Sequence, residues 1–259
     1  MGQIWVTGDT HIPNDINKIS GKNWHEGKGL TKNDFLIQMG DFGLLWGPPP
    51  GHDNYHEKSK VAKIERRYTK YLNERPWTTL FICGNHENHD RLDVLPVEEK
   101  WGGKVGVVSD SIFHLRRGEI YTLHGKKFFC FGGAVSVDKD PSLYMDSYTG
   151  RMKKWKGRTE GVSWWKREIG TMAEQNYGLE NLEKHGNKVD FVLSHTMPRI
   201  YKDHFKFFDY SDKWHDPTCD YLDHIRENVE YEKSFCGHFH IDKKVENHTV
   251  LYNEVEQIV

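Results

Sequence analysis

Cysteine is scarce in this chain. The 259 residues hold four, Cys83, Cys130, Cys219 and Cys236, and no two of them form a C-x-x-C pair. That excludes a zinc knuckle and a disulfide framework, and it sets the expectation of a reduced, cytoplasmic setting. Long hydrophobic runs are missing too: no stretch approaches the roughly eighteen apolar residues of a spanning helix, so no membrane partner is expected. The opening Met1-Gly2-Gln3-Ile4-Trp5 has neither a basic segment nor an apolar core, so no secretory leader is expected. Neither sign of charge dominates. With 36 basic and 38 acidic residues the formal charge is -2, which gives no global attraction to nucleic acid or an anionic membrane. Any charge-driven recognition must therefore be local. Walker A, Gly-x-Ser-x-Gly and His-Glu-x-x-His patterns are absent, which removes P-loop, serine-hydrolase and zincin chemistry.

What is present is a set of short apolar runs that break at a glycine and deliver polar side chains. Phe81-Ile82-Cys83 runs into Gly84-Asn85-His86-Glu87, Ile4-Trp5-Val6-Thr7 into Gly8-Asp9-Thr10-His11, and Leu36-Ile37-Gln38-Met39 into Gly40-Asp41. Later, a run ending at Leu193 gives Ser194-His195, and one ending at Cys236 gives Gly237-His238-Phe239-His240. In α/β sheets ligands bind beyond the carboxyl ends of the strands, so these side chains can share one crevice.

The 36% hydrophobic fraction can bury a substantial core, and one domain over 1–259 is expected, with irregular excursions near 138–165 and 198–217. Between Tyr55 and Glu74, Val61, Ile64, Tyr68 and Leu72 recur at helical spacing, with Lys60, Lys63, Arg66, Arg67 and Lys70 on a solvated face. After Asp41, the Phe42–Gly51 stretch is too rich in glycine and proline for regular structure, yet Phe42, Leu44 and Trp46 need cover, which reads as a packed loop. Residues 104–132 read as a β-meander, and helical spacing resumes from Trp165 to Leu179, weakened by Gly170 and Gly178.

The strand-end set, Asp9, His11, Asp41, Asn85, His86, His195, His238 and His240, is all imidazole, carboxylate and carboxamide. Such donors suit zinc, manganese, iron or nickel, whereas magnesium would take mostly oxygen. There are too many for one ion. Two ions roughly 3.5–4 Å apart need a bridging ligand, and a carboxylate such as Asp41 can serve both.

In order along the chain, Asp9-Thr10-His11, Gly40-Asp41, Gly84-Asn85-His86-Glu87, Ser194-His195 and Gly237-His238-Phe239-His240 resemble the motifs of the calcineurin-like metallophosphoesterases. The resemblance implies an αββα four-layer sandwich of two mixed β-sheets flanked by helices, and phosphate-ester hydrolysis by a water held between two metals. Carried over by position, it implies that Asp9, His11, Asp41 and His240 hold one metal and Asp41, Asn85, His195 and His238 the other. His86 would contact the phosphate or protonate the leaving oxygen, a role its pKa class suits. Manganese(II) is the ion expected to support activity, with iron, zinc or nickel as the alternatives. Glu87 is open between orienting the His86 ring and serving as a helix N-terminal charge.

One departure bears on substrate. The Ser/Thr protein phosphatases of this superfamily follow Gly-Asp with an Asp-Arg pair whose arginine grips phosphate, and here Phe42-Gly43 stands there. A phosphoprotein substrate is thereby disfavoured, and another clamp is required. Arg151, Lys153, Lys154, Lys156 and Arg158, clustered around Trp155, are the first candidates. A clamp of that kind also keeps a nuclease or nucleotide phosphodiesterase open. The competing reading of the cluster is a solvated loop paired with Asp146 and Glu160. Oligomeric state is not legible.

Overall fold

A computed structural model describes residues 2–145, 149–202 and 215–259. Asp146 and most of the 198–217 excursion lie outside them. In chain order the first half forms β1 (Ile4–Thr7), β2 (Phe35–Gln38), α1 (Lys60–Asn73), β3 (Thr78–Phe81), α2 (His89–Asp93), β4 (Val97–Lys100), β5 (Gly103–Ser109) and β6 (Ile112–Leu115). The second half forms β7 (Glu119–Leu123), β8 (Lys126–Phe131), β9 (Ser142–Met145), β10 (Met152–Trp155), α3 (Met172–Lys184), β11 (Phe191–Ser194), α4 (Arg199–Lys202), α5 (Pro217–Asn228), β12 (Lys233–Cys236), β13 (Lys243–Val245), β14 (His248–Val250) and β15 (Val255–Gln257).

Two mixed sheets result. One has seven strands in the order β15-β1-β2-β3-β6-β5-β4, the other six in the order β13-β14-β12-β11-β8-β7. Alternate residues of β1, β2 and β3 (Ile4, Val6, Ile37, Leu80) meet Tyr121, Phe128, Cys130, Leu193 and Phe235 of the second sheet in one shared core. The opposite face of the first sheet (Trp5, Leu36, Phe81) packs against Leu72 of α1 and the 12–45 loops. The outer face of the second (Ile120, Phe129, Val192) packs against Leu182 of α3 and Ile225 of α5. Buried on both sides, the strands read as continuous apolar runs with no alternation. The four-layer αββα sandwich implied by the motifs is the observed architecture.

The meander of 104–132 divides between the sheets. β4, β5 and β6 form antiparallel pairs at the edge of the first, and the chain then crosses so that β7 and β8 pair in the second. The helix expected from Tyr55 begins at Lys60 because Ser59 caps it, its side chain accepting from the Ala62 amide at 3.1 Å. Val61 faces solvent, while Lys60, Lys63, Arg66, Arg67 and Lys70 form the exposed face as expected. α3 begins at Met172, well after Trp165, since Thr171 and Glu174 form a capping box there. Gly178 sits inside α3 because a Cβ would stand 2.5 Å from the Tyr221 hydroxyl. Phe42 and Leu44 are buried in the expected packed loop, and Trp46 lies against Trp165 with ring centroids 5.8 Å apart.

Candidate metal centre

Strands β1, β2 and β3 pair in parallel, as do β8, β11 and β12, so the carboxyl ends of both triplets open at one end of the sandwich. There β1 delivers Asp9 and His11, β2 Asp41, β3 Asn85 and His86, β11 His195, and β12 His238 and His240. The glycines that break the runs have a steric reason. A Cβ on Gly84 would stand 2.0 Å from Asp41 Oδ1, and one on Gly237 2.2 Å from Asp9 Oδ1, so only a bare backbone lets the strand ends close on the carboxylates.

Asp41 lies at the centre. Its Oδ2 is 3.3 Å from His11 Nε2 and its Oδ1 3.3 Å from His195 Nε2. The His86 amide donates to Oδ1 at 2.7 Å. On one flank, Asp9 Oδ2 is 3.1 Å from His240 Nε2, and one ligand atom each from Asp9, His11 and His240 fall within 4.8 Å of one another. On the other, His195 Nε2 is 3.0 Å from Asn85 Oδ1, and its ring centroid is 5.0 Å from that of His238. The His238 amide donates to both Asp9 oxygens, at 2.9 and 3.1 Å. His11, Asp41, His238 and His240 are four of the eight non-glycine residues with positive φ among the described residues. Each such conformation costs on the order of 1–3 kcal/mol, and clustering at a candidate ligand set is what a strained functional site looks like.

The electrostatics match an anionic cradle that seeks cations. Burial opposes ionisation of Asp41, yet the imidazoles of His195, His86 and His11 outweigh it and hold the carboxyl well below the usual range. For His11 and His195 burial pulls down, and the carboxylates of Asp41 and Asp9 push harder, lifting both to about 9. Burial, with His195 beside it, drives His238 well below its ordinary value, so it is a neutral donor. The donor set fits divalent ions: carboxylates with neutral or displaceable-proton imidazoles, shared through Asp41. Asp9, His11, Asp41 and His240 would hold one, and Asp41, Asn85, His195 and His238 the other.

Around these stand residues that carry no sequence signal. Asn85 Nδ2 donates to Ser136 Oγ at 3.1 Å, and Ser136 Oγ donates to Glu168 Oε2 at 2.6 Å. His195 Nδ1 is fixed at 2.7 Å by the Met39 carbonyl, and His11 Nδ1 by Asp15 at 2.9 Å. The Lys18 ammonium donates to the carbonyls of Gly8, Asp9 and Tyr252, and its burial, opposed by Asp9, lowers it to about 8. Glu87 takes neither of its two expected roles. It accepts from the Phe42 amide at 2.6 Å, so it anchors the Asp41 loop, and Asn88 caps α2. Burial, then the Asp41 charge, raises its carboxyl to about 8.

Of the basic cluster, one member reaches the site. Arg158 Nη2 is 3.4 Å from His86 Nε2, while its guanidinium is gripped by Asp138 at 2.7 and 2.5 Å. Arg151, Lys153, Lys154 and Lys156 are exposed on and beside the β9–β10 hairpin. Glu160 pairs with Lys166 at 3.1 Å and with no member of the cluster among the described residues. Burial lowers the His86 pKa; Asp41 opposes this and Arg158 adds to it.

A family model described as calcineurin-like phosphoesterase matches residues 2–242. A lariat debranching enzyme of Schizosaccharomyces pombe (strain 972) is 27% identical over 179 residues, 67% of this chain and 33% of that protein. The chain thus spans about a third of the length of that curated relative. Among solved structures, a putative 5'-nucleotidase from Staphylococcus aureus in complex with alpha-ketoglutarate aligns over 96% of this chain and 48% of its own, with a TM-score of 0.41 and 14% identity.

Proposed function

Because the chain belongs to the calcineurin-like phosphoesterases, and is a phosphoester hydrolase on that ground, we propose that Asp9, His11, Asp41, Asn85, His195, His238 and His240 form its dinuclear centre, with His86 serving the phosphoryl group. The observation that carries this reading is the position of Asp41, with one oxygen 3.3 Å from His11 and the other 3.3 Å from His195. Two bound divalent ions supply Lewis acidity toward the phosphoryl oxygens and a water acidic enough to attack near neutral pH. Manganese(II) is our choice of supporting ion.

The chain's own residues do the remainder. Asp41 fixes the spacing of the two half-sites and orients His86 through the His86 amide. His86 Nε2 faces the same space as the Arg158 guanidinium, so an incoming phosphoryl group meets an imidazole and a fixed cation together. Arg158, held by Asp138, replaces the arginine that the protein phosphatases place after Gly-Asp. Burial, with Arg158 adding to it, keeps the resting His86 ring neutral, a hydrogen-bonding partner, until the phosphoryl charge favours the imidazolium that can protonate a leaving alkoxide. The shared core of the two sheets supports one working unit over 1–259.

A second reading is favoured by the β9–β10 hairpin. Tyr144, Lys153 and Trp155 share one face and Lys154 lies on the other, all exposed, while Trp155 Nε1 donates to the Asp138 carbonyl at 2.6 Å, beside the Arg158 clamp. Aromatic rings interleaved with lysines suit a polynucleotide or nucleotide diester. The fission-yeast relative, a lariat debranching enzyme by name, points in the same direction. A hydrolysis screen over phosphomonoesters, phosphodiesters, nucleotides, RNA and phosphopeptides, each with manganese, zinc, iron and nickel, decides between them. No turnover of any phosphoester with any of these ions would overturn the first reading, and turnover of phosphopeptides alone would overturn the second.

A further inference from the structure

Away from the metal centre, a cavity of about 290 Å³ opens at the side of the sandwich where the chain passes from β6 to β7, walled by α2 and α3. Its floor includes Cys83, His89, His114 and Arg117, and its mouth Lys104 and Arg116. The imidazoles are the anomaly. His89 is 4% and His114 6% exposed, and His89 Nε2 and both ring nitrogens of His114 lack a hydrogen-bond partner among the described residues. Burial, assisted by Arg116 and Arg117, takes His114 down to about 3, and burial with Arg117 takes His89 well below its ordinary value, so both rings are neutral. An orphaned buried polar atom costs about 1–3 kcal/mol, so three in one small cavity call for an occupant.

The charges around them say which kind. Of the acids lining the cavity, Glu174 is engaged by Arg117 at 3.5 Å and by Arg167 at 3.4 Å, Asp93 by Arg167 at 3.1 Å, and Glu119 by the Tyr177 hydroxyl at 2.9 Å. Arg116 and Lys104 form no ion pair among the described residues. Water alone satisfies nitrogens but leaves four cations, Lys104, Arg116, Arg117 and Arg167, facing three carboxylates, a net positive lining. Neutral His114 offers one donor and one acceptor, so the three unpartnered ring nitrogens include at least one acceptor.

We propose that this cavity is an oxyanion-binding site separate from the metal centre, taking a small oxyanion that also carries an O–H donor. Protonated phosphate and a hydroxycarboxylate share that chemistry. The anion oxygens face Arg116 and Lys104, and the hydroxyl reaches an imidazole nitrogen on the floor. The site has a physical connection to the metal cradle. Arg117 donates to the carbonyls of Gly132 and Glu168 at 2.8 and 2.9 Å, and Glu168 holds the Ser136 that holds Asn85.

The test is titration of the zinc-loaded full chain with inorganic phosphate in one arm and citrate in the other, following ring proton–nitrogen resonances of His89 and His114. Saturable shifts at these two rings in either arm support the site, and the arm that saturates at lower concentration identifies the source. Arg116→Gln, a half-exposed position that need not disturb folding, should weaken the binding about tenfold and leave any His86 shift unchanged. Lys104→Gln should act in the same direction. Shifts confined to His86 and its neighbours, or shifts at His89 and His114 that Arg116→Gln leaves intact, would overturn the proposal.

Discussion

The two halves of the candidate metal centre are built differently. The half formed by Asp9, His11 and His240 is open at its rim: the His240 side chain is 48% and that of His11 18% exposed. The half formed by Asn85, His195 and His238 is more closed, with His195 at 0% and Asn85 at 3%, and of the three His238 alone is partly exposed. Depth brings support. Asn85 is backed by Ser136 and Glu168 and His195 by the Met39 carbonyl, whereas His240 is stacked on Tyr252 with ring centroids 4.6 Å apart. The closed half is seated at the ends of interior strands and held by hydrogen bonds, and the open half is a rim that an ion or a substrate reaches from solvent. In the proposed centre Asp41 belongs to both.

That shared membership gives the largest expected effect. Asp41→Asn should cost at least about 10³-fold in turnover, equivalent to several kcal/mol of lost charge stabilisation, and should empty both halves together. Metal analysis of the purified variant checks it. A variant that keeps one ion in the closed half would show that the halves are independent and that Asp41 does not bridge.

His86 belongs to neither half, so His86→Ala should retain metal while losing roughly 10²–10⁴-fold in turnover on alkyl esters. The loss should shrink on nitrophenyl esters, whose leaving group needs no proton. Equal losses on both would assign His86 to phosphate contact. Arg158→Gln sharpens this: with the cation gone, the His86 pKa should rise, moving the alkaline limb of kcat/KM to higher pH.

Much of this was legible in the sequence, for a definite reason. A strand buried on both faces must be apolar throughout, and a ligand at its end must be polar and preceded by a residue small enough to approach, so the pattern of apolar run, glycine and ligand is forced by packing. What supports the ligands was not legible. Ser136 and Glu168 stand 51 and 32 residues from their partners. Nothing local marks them, because only the crossing of the two sheets brings them together. Glu87 was ambiguous for the converse reason, since a glutamate before a short helix has several local roles and tertiary contact with the Phe42 amide overrides them. The positive φ of His11, Asp41, His238 and His240 has no sequence signature either, as these are not glycines.

The unmarked support is testable where the halves differ. Glu168→Gln should weaken metal retention in the closed half by about 10–100-fold, and leave the open half, which it does not touch, near wild type. Competition with a graded series of chelators separates the two ions. Equal weakening of both would mean that Glu168 acts on the fold and has no specific role at Asn85.

Proton competition should treat the halves alike. His11 in the open half and His195 in the closed half are both raised from 6.5 to about 9, and each must shed its proton to bind an ion. Metal affinity should therefore rise with pH up to about 9 in both. The sign for the metal-free protein is opposite. A raised folded pKa contributes stability that is present in full below 6.5 and lost as pH climbs through about 9, so its Tm should fall across that window while metal affinity grows. A metal-free Tm that rises over the same range would contradict the assigned charge states.

The smallest effect is expected farthest from the seat. The β9–β10 hairpin is exposed on both faces, and its lysines sit beyond Arg158, the one member of the basic cluster that reaches His86. A small ester that contacts only the metals, His86 and Arg158 should therefore be indifferent to Lys153→Ala, Lys154→Ala and Lys156→Ala combined. A polynucleotide, tracked along the hairpin by Tyr144, Trp155 and those lysines, should show a KM raised several-fold at low salt. Removing three phosphate-facing charges should also flatten the slope of log affinity against log salt by about 2–3. Kinetics over a salt series on one small and one long substrate measure both. If the long substrate is as indifferent as the small one, the hairpin faces solvent without a role in binding, and specificity rests with the Asp138–Arg158 clamp.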